Sequence, residues 1–322
     1  MLNSRMEYRK LIKFGNSSHV VSLPKSWTEK NNLKKGDTIY LEENGNNELI
    51  LLSKEKDYNE NPIREIVIET DRKDLKLINR EIVAAYLNDY NIIKLIGNDI
   101  IKHSQEIREM VHKLMACEVI EQNGKYIVCR DFLRVSELSL IELTRKMDNI
   151  VRAMFFDIQN NSSCDIIHFK ERCWGINRIS FVTYRMLKTG LIIPSLSKRL
   201  AKNNFELCHW WFLTSKIEHI AEDLRDLSTY LSTLEEKKFF DDKQFMELIG
   251  TLIRMYEYAL KSFYKNDHTL ALTISDLKYV FEDKCEAYLK QYPKETGLRG
   301  LIERFKILMK RINSIAREVY SN

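Results

Sequence analysis

The spacing of apolar residues changes twice along the chain. Up to about residue 56, short β-forming runs alternate with turn clusters. Leu11-Ile12-Lys13-Phe14 runs into Gly15-Asn16-Ser17-Ser18, and His19-Val20-Val21-Ser22-Leu23 follows, closed by Pro24. β-branched and aromatic residues bounded by Gly, Asn, Ser and Pro predict strands joined by turns. Residues 26–32 predict a short helical turn, and Lys35-Gly36-Asp37 a second tight turn. Residues 38–42 and 48–52 flank Asn44-Gly45, a hairpin signal.

Residues 57–132 alternate between the two periods. Residues 64–69 and 91–96 predict strands. Leu75, Ile78, Ile82, Val83 and Tyr86 recur at helical spacing within 71–88, and 100–115 predicts a second helix. Residues 118–121 and 125–128 form a hairpin about Asn123-Gly124. The order is βαβαββ, and two βα units with short connections favour a parallel strand pair under a helix layer.

From residue 133 onward the period is helical. Six segments are predicted: 134–160, 163–189, 197–234, 241–265, 267–292 and 295–320. The first carries a wide stripe of Leu140, Leu143, Met147, Ile150, Val151, Met154, Phe155 and Ile158. Breaks fall at Gly190 and Pro194, at the charged run Glu235-Glu236-Lys237-Lys238, and at Pro293 and Gly297. The stretch from Arg145 to Met154 resembles that from Ile253 to Leu260. Each leads to a polar turn and an Asp, 165 or 267, suited to begin the next helix. This suggests three helices duplicated into six, packed as an antiparallel bundle. The fold class is multidomain α+β, divided as 1–56, 57–132 and 133–322, with repeats at about 133–236 and 237–322.

Composition supports this division. Only 10 Gly and 4 Pro in 322 residues allow long helices and disfavour an all-β sandwich. No apolar run is long enough to span a bilayer, and MLNSRMEYRK lacks the apolar core of a signal peptide. The six cysteines form no CxxC pair, and a chain of this size needs no disulfide staples. Reduced thiols in a cytoplasmic protein are expected.

The net charge of +5 is too mild to imply nucleic acid by itself, so its location matters. Within residues 1–30, six basic side chains (Arg5, Arg9, Lys10, Lys13, Lys25, Lys30) face two acidic ones, Glu7 and Glu29. Such a cluster on a β-scaffold can neutralise phosphates and release counterions. Asn16, Ser17, Ser18 and His19 could reach phosphate or base edges. The competing explanation is an edge strand guarded by lysines. Trp27, beside a strand-ending Pro, is expected in the core.

Other candidates carry less. Glu218 and Glu222 are four apart and share a helix face, so they could help bind a hard or transition metal if other helices add ligands. A solvated acidic face paired with Lys216 and Arg225 explains them as well. Cys164, His168 and Cys173, or Cys208-His209, suggest zinc, but the paired knuckle spacing is absent. Trp210-Trp211-Phe212 cannot all face one way on a helix, so at least one ring is exposed or covered by another chain. No phosphate loop, nucleophile elbow or HExxH motif is present, and no enzyme activity is expected.

Residues 13–18, 20–24, Leu33, Lys35-Gly36-Asp37 and 39–41 resemble the AbrB/SpoVT-type swapped-hairpin domain. That resemblance implies an intertwined homodimer binding duplex DNA. The C-terminal region resembles PhoU, the helical regulator of phosphate uptake, through Glu171–Arg178 and Lys216–Asp223. Together they resemble archaeal PhoU-type regulators with an N-terminal AbrB domain. PhoU-type bundles imply iron or zinc clusters, but Lys310-Arg311-Ile312-Asn313-Ser314 stands where a second carboxylate motif would lie, and Cys173 where an acid is expected.

The expectation is a homodimeric DNA-binding transcriptional regulator, with the helical bundle as sensor or partner module and phosphate uptake as its subject. Arg5, Arg9, Lys10, Lys13 and Lys25 would meet phosphates, and Asn16, Ser17, Ser18 and His19 would approach bases. The alternatives are an adaptor acting on a transporter or kinase, and a metal-binding bundle using Glu218 and Glu222.

Overall fold

A computed structural model of the chain describes residues 7–43, 48–54, 63–160, 166–234, 242–293 and 297–320. Arg5, the Asn44-Gly45 turn, Cys164, Asp165 and the 235–238 charge run lie outside these residues. The chain divides into two units, Met1–Asn61 and Pro62–Asn322.

In the first unit, β1 (Ile12–Phe14) and β2 (Ser18–Val20) pair antiparallel. Gly15 makes the turn at φ +67°, a conformation that side chains disfavour. The strand expected over residues 19–23 stops at Val20, because β1 offers only three residues to pair with. Helix α1 (Lys25–Lys30) follows Pro24, whose carbonyl accepts from Trp27 and Thr28 N–H. Asp37 accepts the Lys34 N–H at 2.6 Å, holding the next turn about Gly36 at φ +98°. β3 (Tyr40–Glu43) and β4 (Leu49–Leu52) form a second antiparallel pair.

No described side chain of this unit is fully buried. Trp27 is only half-buried, which corrects its placement in a core: its unit has too few strands to enclose an indole.

The second unit begins with a four-stranded sheet. Its order is β5 (Glu65–Glu69), β6 (Ile92–Ile96), β8 (Tyr126–Asp131), β7 (Cys117–Gln122). β5 and β6 run parallel, and the other pairs are antiparallel. Helix α2 (Leu75–Leu87) starts at Asp74, whose carboxylate accepts the Leu77 N–H at 2.7 Å. Helix α3 (Ser104–His112) continues from a 3₁₀ turn at Ile100–His103. Ile78, Ile82, Tyr86, Ile93, Leu95, Ile107 and Val111 form the core of this layer.

Seven further helices follow among the described residues: α4 (Leu140–Gln159), α5 (Ile166–Ile192), α6 (Pro194–Leu200), α7 (Asn204–Thr233), α8 (Lys243–Lys265), α9 (His268–Gln291) and α10 (Leu298–Tyr320). The segment expected as one helix over 197–234 is two. Ala201 and Asn203 are extended, and the Asn203 side chain accepts the Glu206 N–H at 2.9 Å to start α7. Pro194 opens α6 at its first turn, where its missing N–H costs nothing. α4, α5 and α7 pack together, as do α8, α9 and α10, and α7 meets α10 across the middle. One continuous core joins them, with Phe155 against Tyr256 at 5.4 Å and Phe245 stacked on Phe305 at 5.5 Å.

A buried charge fastens α5 to the sheet. Arg185 of α5 is 3% exposed, donating to Asp89 at 2.8 Å and to Asp131 at 2.6 Å. Its guanidinium also lies over the Tyr86 ring, 4.4 Å from the centroid. The sheet and the helices accordingly belong to one compact unit. Among the described residues, no helix is long and apolar enough to cross a membrane.

Candidate nucleic-acid interface

The N-terminal unit sets most of the expected contact residues around one hairpin. Lys13 of β1 stands opposite His19 of β2, so both side chains leave the same face. Ser18 stands opposite Phe14 on the other face. Asn16 and Ser17 occupy the tip. The short strands thus divide the proposed base-approaching residues: His19 shares a face with Lys13, whereas Ser18 shares one with an aromatic ring.

The remaining cations are accessible. Lys10 and Lys13 are exposed, and Lys25 opens α1 with its ammonium 3.6 Å from Glu29. Arg9 donates to Glu7 at 2.5 Å, both groups partly exposed. An exposed pair of this kind is worth little, so a phosphate can displace the carboxylate. Lys30, Lys34 and Lys35 are exposed as well and were not among the expected contacts. Their signal was in the sequence, as a basic run beside the Gly36 turn.

Apolar side chains sit among these charges. Tyr8, Leu11, Ile12, Phe14, Val20, Val21, Leu41 and Leu49 are all exposed within the single chain. Clustered apolar exposure on this scale marks an interaction surface rather than ordinary scatter.

Of the carboxylate pair of α7, Glu218 has a tyrosine partner. Glu218 accepts from the Tyr184 hydroxyl at 2.9 Å, and burial pushes its pKa upward. Asp223 is bound by Arg311, and Asp226 by Arg225 at 2.9 Å. Among the described residues no three His, Cys, Asp or Glu side chains gather as a metal-binding group. The Lys216 ammonium lies over the Phe212 ring at 4.9 Å, so its expected place against the carboxylates is corrected to an aromatic contact.

The cysteines behave similarly. Cys173 is buried and donates to the Ala221 carbonyl at 3.4 Å, and burial pushes its thiol up to about 11. His209 Nδ1 lies 2.8 Å from Glu318. Of the aromatic triplet, Trp210 is buried, Phe212 half-buried, and Trp211 exposed against Tyr184 at 4.9 Å.

A family model described as antidote-toxin recognition MazE, bacterial antitoxin, matches residues 12–59. The N-terminal unit is therefore a MazE/AbrB-like domain, of a kind consistent with a DNA-binding regulator. No curated protein and no solved structure matches the chain.

Proposed function

We propose that this protein is a transcriptional regulator that binds duplex DNA as a homodimer through its N-terminal domain. One observation carries the reading: a basic hairpin lies in a unit that buries none of its described side chains. A β unit this small cannot be stable with its apolar residues in water. Pairing with a second copy would bury Leu11, Ile12, Phe14 and Val20 and bring two sets of cations together. Doubled cations would engage phosphates on both sides of a groove.

In this reading Arg9, Lys10, Lys13 and Lys25 neutralise phosphates, with Arg5 ahead of them in the chain. Asn16, Ser17 and His19 approach base edges from the hairpin tip and one face. The helical part acts as a PhoU-like sensor, by binding and not by catalysis, with phosphate uptake as the regulated process. The grouping of its helices into two sets of three supports that assignment.

The dimer requirement is tested with Phe14→Asp. Sedimentation should show a dimer for the parent and a monomer for the variant, and the variant's DNA affinity should fall by more than tenfold, roughly. A variant that is monomeric yet binds DNA as the parent does would refute the paired-scaffold mechanism.

A further inference from the structure

A second charged feature lies in the helical part, far in sequence from the hairpin. Arg145, Asp148 and Arg152 recur at three- and four-residue spacing and so share one face of α4. Lys261, Tyr264 and Lys265 do the same at the end of α8. Together these six side chains line a surface cavity of about 370 Å³. This is within the range of about 300–1,000 Å³ common for small-molecule sites.

The charges do not cancel. Arg152 donates to Asp148 at 2.8 Å and to Glu257 at 3.1 Å, so it is already neutralised. Arg145, Lys261 and Lys265 have no carboxylate partner among the described residues. Lys265 also complements the C-terminal end of the α8 dipole, but Arg145 comes from the middle of another helix. A solvated basic face would carry its cations on a convex surface, whereas these converge on a concavity.

The Tyr264 ring forms part of the cavity wall, with the Arg145 guanidinium 5.9 Å from its centroid. The ring holds that cation at the rim by a cation–π contact without neutralising it.

We propose that the α4–α8 cavity binds a small molecule bearing two or more phosphate groups. Three unneutralised cations exceed what one monoanion would satisfy, and the cavity is several times larger than a single phosphate ion. The site is built from residues of the second unit alone and does not depend on the DNA-binding reading.

Isothermal titration of the full-length protein with pyrophosphate, ADP and inorganic phosphate tests this. Pyrophosphate or ADP should bind more tightly than inorganic phosphate. Equal affinity for the first two would mean that only the phosphates are read, and tighter ADP that the nucleoside is read too. Lys261→Gln/Lys265→Gln should weaken binding at least about tenfold. A control, Lys170→Gln/Lys290→Gln, removes equal charge from other helices and should leave binding unchanged. No binding of either diphosphate, equal loss in the control, or full retention in the Lys261/Lys265 variant would overturn the proposal. The last result would assign the binding to the N-terminal cations instead.

Discussion

Arg185 shows how much one side chain can decide. It is almost fully enclosed, and two carboxylates hold it, Asp131 of β8 and Asp89 of the loop after α2. Removing one partner of a buried ion pair leaves uncompensated charge. Arg185→Ala is therefore expected to lower unfolding stability by about 3–5 kcal/mol in urea melts. Nothing in the local sequence marks Arg185: its partners are 96 and 54 residues away. Glu218 gives a prediction of opposite sign. Its pKa is raised in the folded state, chiefly by burial. The folded protein therefore holds this proton more tightly than the unfolded chain. The resulting stabilisation is present below the ordinary carboxylate pKa and is lost as pH rises through the raised value. Glu218→Gln, which keeps an oxygen for Tyr184, should stabilise the protein at pH 7 and lose that advantage in acid. Thermal melts from pH 4 to 8 would show it, and an equal effect at both ends would contradict it.

At the scale of elements, the strands of the sheet and the apolar stripe of α4 were legible because periodicity is local. The βαβαββ order follows directly from it. The interruption between α6 and α7 was hidden, since Leu200 and Leu207 maintain the apolar pattern across it. The capping chemistry was nonetheless written there. Asn203 accepts from Glu206 N–H, and the Glu206 carboxylate accepts from Lys202 N–H at 2.7 Å. These two bonds, one from the third helical residue to the cap and one from the residue before the cap to that third residue, resemble a capping box and hold the helix start. Asn203→Ala should cost about 1 kcal/mol in a chemical melt. No loss at all would mean that packing alone sets the boundary.

At the scale of the whole molecule, the two units differ in what holds them. Residues 63–320 enclose two hydrophobic clusters, whereas the described residues of the first unit enclose none. The turn and strand spacing of that unit could be read from its Gly, Pro and Asp positions, and the match over residues 12–59 agrees. What covers its apolar face could not be read, because a single chain's sequence does not specify contacts that another chain would supply. Glu218 was legible as half of a carboxylate pair with Glu222 but not as the partner of Tyr184, and Asp223 was not legible as the partner of Arg311, since both partners come from other helices.

The most direct test is equilibrium binding of the full-length protein to random and promoter-derived duplexes across a salt series. Arg9→Ala/Lys10→Ala/Lys13→Ala, checked to remain dimeric, is measured in parallel. DNA binding by the parent should weaken steeply with salt. The variant should bind more weakly, with a logarithmic salt slope shallower by up to about 5, for six lost cations per dimer. Folded dimeric parent protein that fails to bind DNA at low salt, or a triple variant with an unchanged slope, would contradict DNA binding by this basic hairpin.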